Sequence, residues 1–290
     1  MRRAALTVVA LGLLGTLVVR PALADDQRSV ERLVKGHVAS LAKKAKDDQL
    51  GLAKDPLVVI YGALERDPKI AISDARGGPS GNVAHAPGDA AIGVDSDHGV
   101  AWFQLPYSVD ITPTSHIPSD PSLFHTRERF GGVAVLGKDG WQLAVVMYAR
   151  LADDALMIQL GKDHHDAMPS GDPRLTGDKG LDGVIAGWIK TGFAPHAATD
   201  ETLVASGTSG AEYQTGDAAK ALAKAWDGLR LRAAAIDSRT FADGVAGFAR
   251  VRVAMPVKAG GAVEMTLGVT AIWQDKEWRW VSLQFSGTHF

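Results

Sequence analysis

Cysteine is absent from the 290 residues, which excludes a disulfide framework and a thiol nucleophile. Basic and acidic residues nearly balance, with a formal net charge of -2 and a pI near 6.5. A chain with so little excess positive charge is a poor partner for a polyanion, so we exclude nucleic-acid binding as its main role. Stability must come from buried apolar surface.

Long hydrophobic runs are also lacking, apart from one near the start. Ala4 to Val19 follows Met1-Arg2-Arg3 and is shorter than the ~20 residues that cross a bilayer. Ala22-Leu23-Ala24 then fits the small-residue cleavage site of a secretory signal. We expect residues 1–24 to be a signal peptide, and cleavage near Ala24 to give a periplasmic or secreted chain with no membrane span.

Common metal, phosphate and nucleophile motifs are missing as well. His164-His165-Asp166 has no third ligand at a metal-binding spacing, and Asp172, Asp178 and Asp182 lack the spacing of a calcium loop. Gly77 to Gly81 is rich in glycine but has no phosphate-loop lysine. We therefore predict no metal and no cofactor.

An internal repeat is the strongest architectural signal. A helical period of apolar residues in residues 30–41 recurs in residues 181–189, and both segments predict amphipathic helices. Three later segments recur in the same order, and each half closes with a turn onto a tryptophan, Trp141 or Trp278. The repeated segments predict strands joined by tight hairpins, whereas Ser73 to Asp89 is rich in turn residues and predicts a loop.

These patterns predict an α+β chain of two tandem domains, each with helices packed on a curved, mostly antiparallel sheet. We place the first domain at residues 25–160, a solvated linker at 161–175 and the second domain at 176–290. In the second domain, Asp217 is predicted to cap a further helix, Gly228 is predicted to end it, and its buried stripe is predicted to include Trp226 and Leu229.

The second half resembles the nuclear transport factor 2-like, or SnoaL-like, superfamily. The resemblance rests on Ser206 to Gly216, which contains Glu212-Tyr213 and leads into a helix, and on the closing strand Glu277 to Ser286. It implies a cone-shaped fold whose open end can hold a small molecule. Members include isomerases, hydratases and cyclases as well as modules without catalytic activity, so the fold alone does not define the function.

Five residues are candidates for a site in the second half. Glu212 and Tyr213 could transfer a proton and hold an enolate, or they could stabilise a turn and pack under the following helix. Arg250 and Arg252 could bind a carboxylate or phosphate, or pair with acids on the outer face of the sheet. Trp188 is the apolar candidate for ligand binding.

The preferred function is an exported, non-catalytic protein of the cell envelope that binds a small-molecule ligand or a partner. The alternative is an isomerase, hydratase or cyclase that acts in the second-domain cone around Glu212, Tyr213 and Arg252. A third hypothesis is a structural protein whose cones are filled by side chains. Both faces of the strand after Trp141 are largely apolar, and a sheet face in water is not normally apolar. We therefore predict an intrachain pseudo-dimer with the two sheets face to face and with Trp280 in the interface.

Overall fold

The computed structural model describes residues 23–41, 50–65, 81–113, 125–151, 167–199, 201–257 and 261–287. The helices in these ranges are α1 (residues 23–41), α2 (Lys179–Thr191) and α3 (Gly216–Asp227), with short 3-10 segments at Ala194–His196 and Ala242–Gly244. The strands are β1 (Leu52–Ile60), β2 (Ala63–Glu65), β3 (Gly81–Pro87), β4 (Ala91–Asp95), β5 (Val100–Pro113), β6 (His125–Gly137), β7 (Gly140–Arg150), β8 (Arg174–Leu175), β9 (Val204–Ser206), β10 (Tyr213–Thr215), β11 (Arg232–Phe241), β12 (Ala246–Pro256), β13 (Ala262–Gln274) and β14 (Glu277–Gly287).

The strands form two seven-stranded sheets. The first has the order β2-β1-β7-β6-β5-β3, with β4 also paired to β5, and the second has the order β10-β9-β14-β13-β12-β11-β8. In each sheet one strand, β1 or β9, runs parallel to the last strand of its half, and the long strands that follow form an antiparallel meander. The predicted α+β class is confirmed.

The amphipathic helices bury the apolar stripes that their sequences predict. Val30, Val34 and Val38 of α1 lie in the core of the first sheet, and Leu181 and Ile185 of α2 lie in the core of the second. The carboxylate of Asp178 caps α2 by accepting hydrogen bonds from the N–H groups of residues 180 and 181, at 2.9 and 3.0 Å.

The start of α3 and one residue of its predicted buried stripe differ from the prediction. Its N-cap is Thr215, so Asp217 lies within the first turn, where a negative charge still favours the helix dipole. Trp226 is buried as predicted, but Leu229 follows the helix and is 37% exposed. The helix ends at its predicted cap, Gly228, before Leu229 can join the buried stripe.

The closing hairpins of the two halves are equivalent residue by residue. Gly137 pairs with Gly140 at one turn and Gln274 with Glu277 at the other, so equivalent positions are 137 residues apart. Each hairpin also carries one bulged residue in its second strand, and the bulged residues, Ala144 and Val281, have this same separation. The sequence alone aligns Gly132 with Gly268 in the repeat, whereas this register makes Gly131 the equivalent of Gly268.

Side chains of the two sheets contact each other. The Gln104 amide on β5 donates hydrogen bonds to Ser282 Oγ and the Leu283 carbonyl on β14, at 2.8 and 2.9 Å. Trp102 Nε1 donates to the Thr202 carbonyl at 2.7 Å. One apolar cluster contains residues of both halves, among them Val145 and Met147 with Val269 and Leu267.

Trp280 does not occupy the position predicted for it. Its indole N–H donates to the carbonyl of Phe193 at 2.6 Å, within the second half. The prediction assumed that side chains alternate strictly along β14. The bulge leaves Val281 unpaired with β13, so Trp280 and Ser282 do not lie on the same face of the sheet as strict alternation requires.

Two segments predicted to lack regular structure contain strands. Within the predicted loop from Ser73 to Asp89, residues 81–87 form β3, which pairs with β5, and residues 73–80 lie outside the described residues. Within the predicted linker, β8 pairs in parallel with β11. Most of the predicted signal peptide and the His164-His165-Asp166 segment lie outside the described residues. Among the helices of the described ranges, none combines the length and the apolar character needed to cross a membrane.

Candidate functional site

Glu212 lies in the turn that joins β9 to β10. Its carboxylate accepts a hydrogen bond from the Ser209 N–H at 3.2 Å, and its carbonyl accepts one from the Gly207 N–H at 2.9 Å. A Cβ atom on Gly207 would overlap the Glu212 carboxylate, so the turn requires glycine there. The carboxylate therefore stabilises its own turn, which is the structural role weighed for it from the sequence.

Tyr213, in contrast, connects the two halves. Its hydroxyl donates to the Gln104 carbonyl at 3.1 Å and accepts from the Ala91 N–H at 3.2 Å, and both partners belong to the first half. Burial raises the pKa of Tyr213, so the phenol stays neutral and can fill both roles near neutral pH.

Arg129 on β6 approaches the same turn from the first half. The residue is only 1% exposed, and its two terminal nitrogens donate to the carbonyls of Gly207 and Ser209 at 2.5 and 2.6 Å. The guanidinium lies 5.6 Å from the centre of the Tyr213 ring. Burial lowers the pKa of Arg129 to about 10, and the nearby charge of Glu212 opposes this shift. Arg129 is therefore a buried cation at neutral pH.

A cavity of about 340 Å³ lies beside these residues and is called the junction cavity below. Its lining includes Ser108, Arg127 and Arg129 from the first half, and Gly210 and Tyr213 from the second. Tyr107 and Glu128 also border it, but side chains alternate along a strand, so their side chains point to the opposite face from Ser108 and Arg129. The cavity thus brings the predicted Tyr213 together with two arginines that the sequence analysis did not select.

On that opposite face, a buried polar group forms around Glu128. Its carboxylate, on a residue 2% exposed, accepts hydrogen bonds from Tyr61 Oη at 2.9 Å and from Tyr107 Oη at 2.5 Å. Burial first, and then the charge of Glu128, hold the pKa of Tyr107 well above its ordinary value. Tyr107 therefore stays a neutral donor to the carboxylate.

A histidine and a third tyrosine complete this group. His37 Nδ1 lies 2.7 Å from the Leu50 carbonyl, which can only accept, so this nitrogen carries the proton. In the neutral ring, Nε2 then accepts from Tyr148 Oη at 2.5 Å. His37, Tyr61, Tyr107, Glu128 and Tyr148 are called the inner cluster below. The chain has four tyrosines, and all of them lie either in this cluster or at the junction cavity.

The sequence analysis missed the inner cluster because its members come from α1, the β1–β2 turn and strands β5, β6 and β7. No spacing motif links such distant positions. One usable signal was Arg127-Glu128-Arg129, a run of three charges directly before the apolar part of β6 that begins at Phe130.

The other predicted site residues have structural partners. Arg252 forms two hydrogen bonds with Glu264, each 2.9 Å long, across β12 and β13. Arg250 Nε donates to the Gly62 carbonyl at 2.8 Å, and burial lowers the pKa of Arg250. Trp188 is buried on α2 and stacks on His196 with ring centres 5.5 Å apart. None of the three lines the junction cavity.

The second half has a separate cavity of about 510 Å³ at the ends of α2 and α3, called the helix-end groove below. Its lining includes Phe193, Trp226, Arg230 and Arg232, and it excludes Glu212, Tyr213 and Arg252. Within the described ranges, no three His, Asp or Glu side chains are grouped in a way that could hold a metal ion.

Comparisons with solved structures find similarities over about half of the chain. An NTF2-like protein with a cystatin-like fold from Novosphingobium aromaticivorans is 19% identical, with 51% of this chain and 96% of that chain covered and a TM-score of 0.37. A candidate aromatic ring hydroxylase from the same organism is 10% identical, with 45% and 92% covered and a TM-score of 0.36.

A candidate scytalone dehydratase, also from Novosphingobium aromaticivorans, is 13% identical, with 43% and 83% covered and a TM-score of 0.35. The similar structures thus include the NTF2-like class that the sequence resembles. No protein-family model matches the chain, and no curated protein matches its sequence.

Proposed function

We propose that the protein is an exported binding protein that holds a small organic anion in the junction cavity and performs no chemistry on it. The observation that carries this proposal is Arg129. In the described part of the chain its guanidinium contacts only backbone carbonyls and the Tyr213 ring, without an ion pair. The charge of Glu212 is nearby but forms no ion pair with Arg129, so an anionic ligand beside this buried cation would offset the part of its desolvation cost that remains.

Other parts of the cavity fit the same ligand. Arg127 is exposed, and its Nη1 lies 3.7 Å from where a Cβ of Gly210 would be, so a second guanidinium reaches the cavity. Ser108 adds a hydroxyl, and the Tyr213 ring adds an aromatic surface. The volume of about 340 Å³ lies at the lower end of the range for small-molecule sites. A compact aromatic or short aliphatic carboxylate therefore fits best.

Calorimetric titration with benzoate, and with neutral benzamide as the uncharged comparison, tests this proposal. We expect benzoate to bind about tenfold or more tightly than benzamide, because only benzoate pairs with the arginines. Gly210→Leu should abolish binding by filling the cavity, whereas Gly183→Leu, at an exposed glycine on α2 with open space around it, should not. Equal affinity for the two probes, or binding unaffected by Gly210→Leu, would contradict the proposal.

Export is part of the proposal and rests on the sequence of residues 1–24. The charged start, the single apolar run and the small residues before Asp25 together fit a cleaved signal. The intact mass of the protein recovered from the periplasm or medium should correspond to a chain that starts at Asp25. A mass that retains Arg2 and Arg3 would contradict cleavage.

We also propose that the two halves form an intrachain pseudo-dimer around an approximate two-fold axis. Two-fold contacts are reciprocal: if residue i of one copy contacts residue j of the other, j also contacts i. A Cβ on Gly131 would overlap the Gln284 side chain, and one on Gly268 would overlap the Met147 sulfur. Gly131 is equivalent to Gly268 and Met147 to Gln284, so this pair of contacts is reciprocal.

A second pair of contacts supports the same symmetry. Arg129 donates to the Ser209 carbonyl at 2.6 Å, and its equivalent, Thr266, donates to the Gly62 carbonyl at 3.2 Å. Val59 pairs with Met147, and Ser206 pairs with Gln284, the equivalent of Met147. Gly62 and Ser209 each lie three residues after these paired residues, so they are equivalent as well. Small-angle scattering of the mature protein should give one compact particle. A two-bead profile with free motion between the halves would refute the pseudo-dimer.

A second candidate function is acid–base catalysis on a small molecule in the first half, which the inner cluster favours. A carboxylate that accepts from two phenols, in the same buried cluster as a histidine that is hydrogen-bonded to a third, can receive and return protons. Once a reaction is found, Glu128→Gln should lower its rate by about 10²–10⁴. Glu212→Gln should leave the rate unchanged, because that carboxylate is bonded to its own turn. If Glu212→Gln lowers the rate and Glu128→Gln does not, the catalytic site lies in the second half, as in the alternative function proposed from the sequence.

A further inference from the structure

We propose that the helix-end groove of the second half is a separate binding site for an amphipathic organic anion, which has an elongated apolar body and one carboxylate or phosphate head. The groove lies at the C-terminal ends of α2 and α3 and shares no lining residue with the junction cavity. Binding in the groove therefore does not depend on the function proposed for the junction cavity.

One side of the groove is apolar. The side chains that form it come from α2, α3, the segment after α2 and the start of β11, namely Ala186, Ile189, Phe193, Trp226, Leu231 and Ala233. The groove has a volume of about 510 Å³, which lies within the usual range for sites that hold small organic molecules. A ligand with an apolar body of about a dozen carbons is stabilised in the groove, because its apolar surface leaves contact with water.

The rim of the groove carries more positive than negative charge. Lys190 pairs with Asp172 at 2.8 Å, and the Asp227 carboxylate accepts from the Phe193 N–H at 2.7 Å, so both acids have partners. Arg230 and Arg232 have no carboxylate partner in the described part of the chain, and the nearest acceptor for Arg232 is the Pro169 carbonyl at 3.4 Å. Two guanidinium groups are thus available for an anionic head.

The turn after α3 determines where one of these arginines lies. Arg230 adopts a left-handed conformation with a φ of 52°, as do other residues at turns between the strands, such as Tyr61 and Asp275. Here the conformation lies directly between α3 and β11, and it sets an arginine on the rim of the groove.

These features together select an amphiphile. A free phosphate would leave the apolar wall in water, and a neutral alcohol would leave both arginines without a counter-charge. Dodecanoate, used below its micellar concentration, is the probe that satisfies both parts of the groove. Dodecanol and inorganic phosphate each satisfy one part.

Calorimetric titration of the full mature chain tests the proposal. We expect saturable binding of dodecanoate with one-to-one stoichiometry, and binding of dodecanol or phosphate that is weaker by about tenfold or more. Arg230→Gly/Arg232→Ser should weaken dodecanoate by about tenfold or more, and glycine keeps the left-handed backbone without strain. Ala186→Phe should block binding by filling the apolar wall while leaving both arginines in place.

Matched controls separate the groove from general charge and from the junction cavity. Arg28→Ser/Arg32→Ser removes the same charge from exposed positions on α1 and should leave dodecanoate affinity unchanged. Gly210→Leu, which fills the junction cavity, should also leave it unchanged. Thermal unfolding of every variant checks that the fold is kept. Equal affinity of the wild type and the double arginine variant, or no saturable binding of dodecanoate, overturns the proposal.

Discussion

The two halves share one sheet plan but fill it with different chemistry. In the first half, the face of the sheet covered by α1 holds the inner cluster, with Glu128 and its phenol donors. In the second half, the core under the helices is apolar and aromatic, and Trp226 packs edge-on against Phe285 with ring centres 4.8 Å apart. The two halves therefore share the same order of strands, whereas the side chains that face the core differ between them.

The two ends of the proposed pseudo-symmetric interface differ in a similar way. At one end Arg129 holds the turn at Gly207 and Ser209, and at the other its equivalent, Thr266, makes one hydrogen bond to Gly62. The Gly62 carbonyl also accepts from Arg250, so both ends have an arginine, but only the Arg129 guanidinium is almost fully buried and borders the junction cavity. This asymmetry is why we place the ligand site at the Arg129 end.

Removal of the Arg129 and Thr266 side chains should give the largest difference in the free energy of unfolding. Arg129→Met takes the donors away from two carbonyls and should lower the free energy of unfolding by about 2–4 kcal/mol. Thr266→Val removes one neutral hydrogen bond and should cost about 1 kcal/mol. Urea denaturation of both variants measures the difference, and equal losses would show that the two ends are energetically alike.

A smaller contrast is expected between two glutamates. Glu128→Gln should cost about 1–3 kcal/mol, because an amide in place of the buried carboxylate cannot accept both tyrosine hydroxyls as well. Glu264→Gln weakens a half-exposed pair with Arg252 and should cost about 0–1 kcal/mol. If the two changes cost the same in urea denaturation, Glu128 is not held by its phenol donors.

The smallest effect is expected in how the free energy of unfolding changes at alkaline pH. The folded-state pKa of Tyr107 is raised, so its contribution is complete below the unfolded pKa of about 10 and is lost as the pH rises beyond it. Burial lowers the pKa of Arg129 to about 10, so a rise in pH over the same range removes the buried charge and favours the folded state. Tyr107→Phe should therefore lose less stability between pH 9 and pH 11 than the wild type. Parallel curves would contradict the raised pKa.

The sequence was sufficient to predict the elements whose signals are local. The two amphipathic helices and the closing hairpins follow from apolar periodicity and tight-turn residues, and the structure confirms them. The bulges at Ala144 and Val281 carry no such signal, and one of them moved Trp280 to a position that strict alternation does not predict. Leu229 was misplaced because the apolar period was continued one residue past Gly228, where α3 ends.

The candidate site was harder to predict because it depends on packing between distant segments. Tyr213 was selected from a local motif, and the structure brings it to the junction cavity. Arg129 was not selected, since its role exists only when β6 of the first half meets the turn after β9 of the second. The inner cluster likewise depends on five separate segments of the first half.

The reciprocal glycine contacts give the most direct test of the pseudo-dimer. Gly131→Val should clash with Gln284, and Gly268→Val with Met147, each at a cost of about 1–3 kcal/mol. Gln284→Ala should relieve the first clash and Met147→Ala the second. Two double-mutant cycles in urea would then give coupling energies of like sign, each about 1 kcal/mol or more. Additive effects in both cycles would contradict the face-to-face arrangement of the two halves.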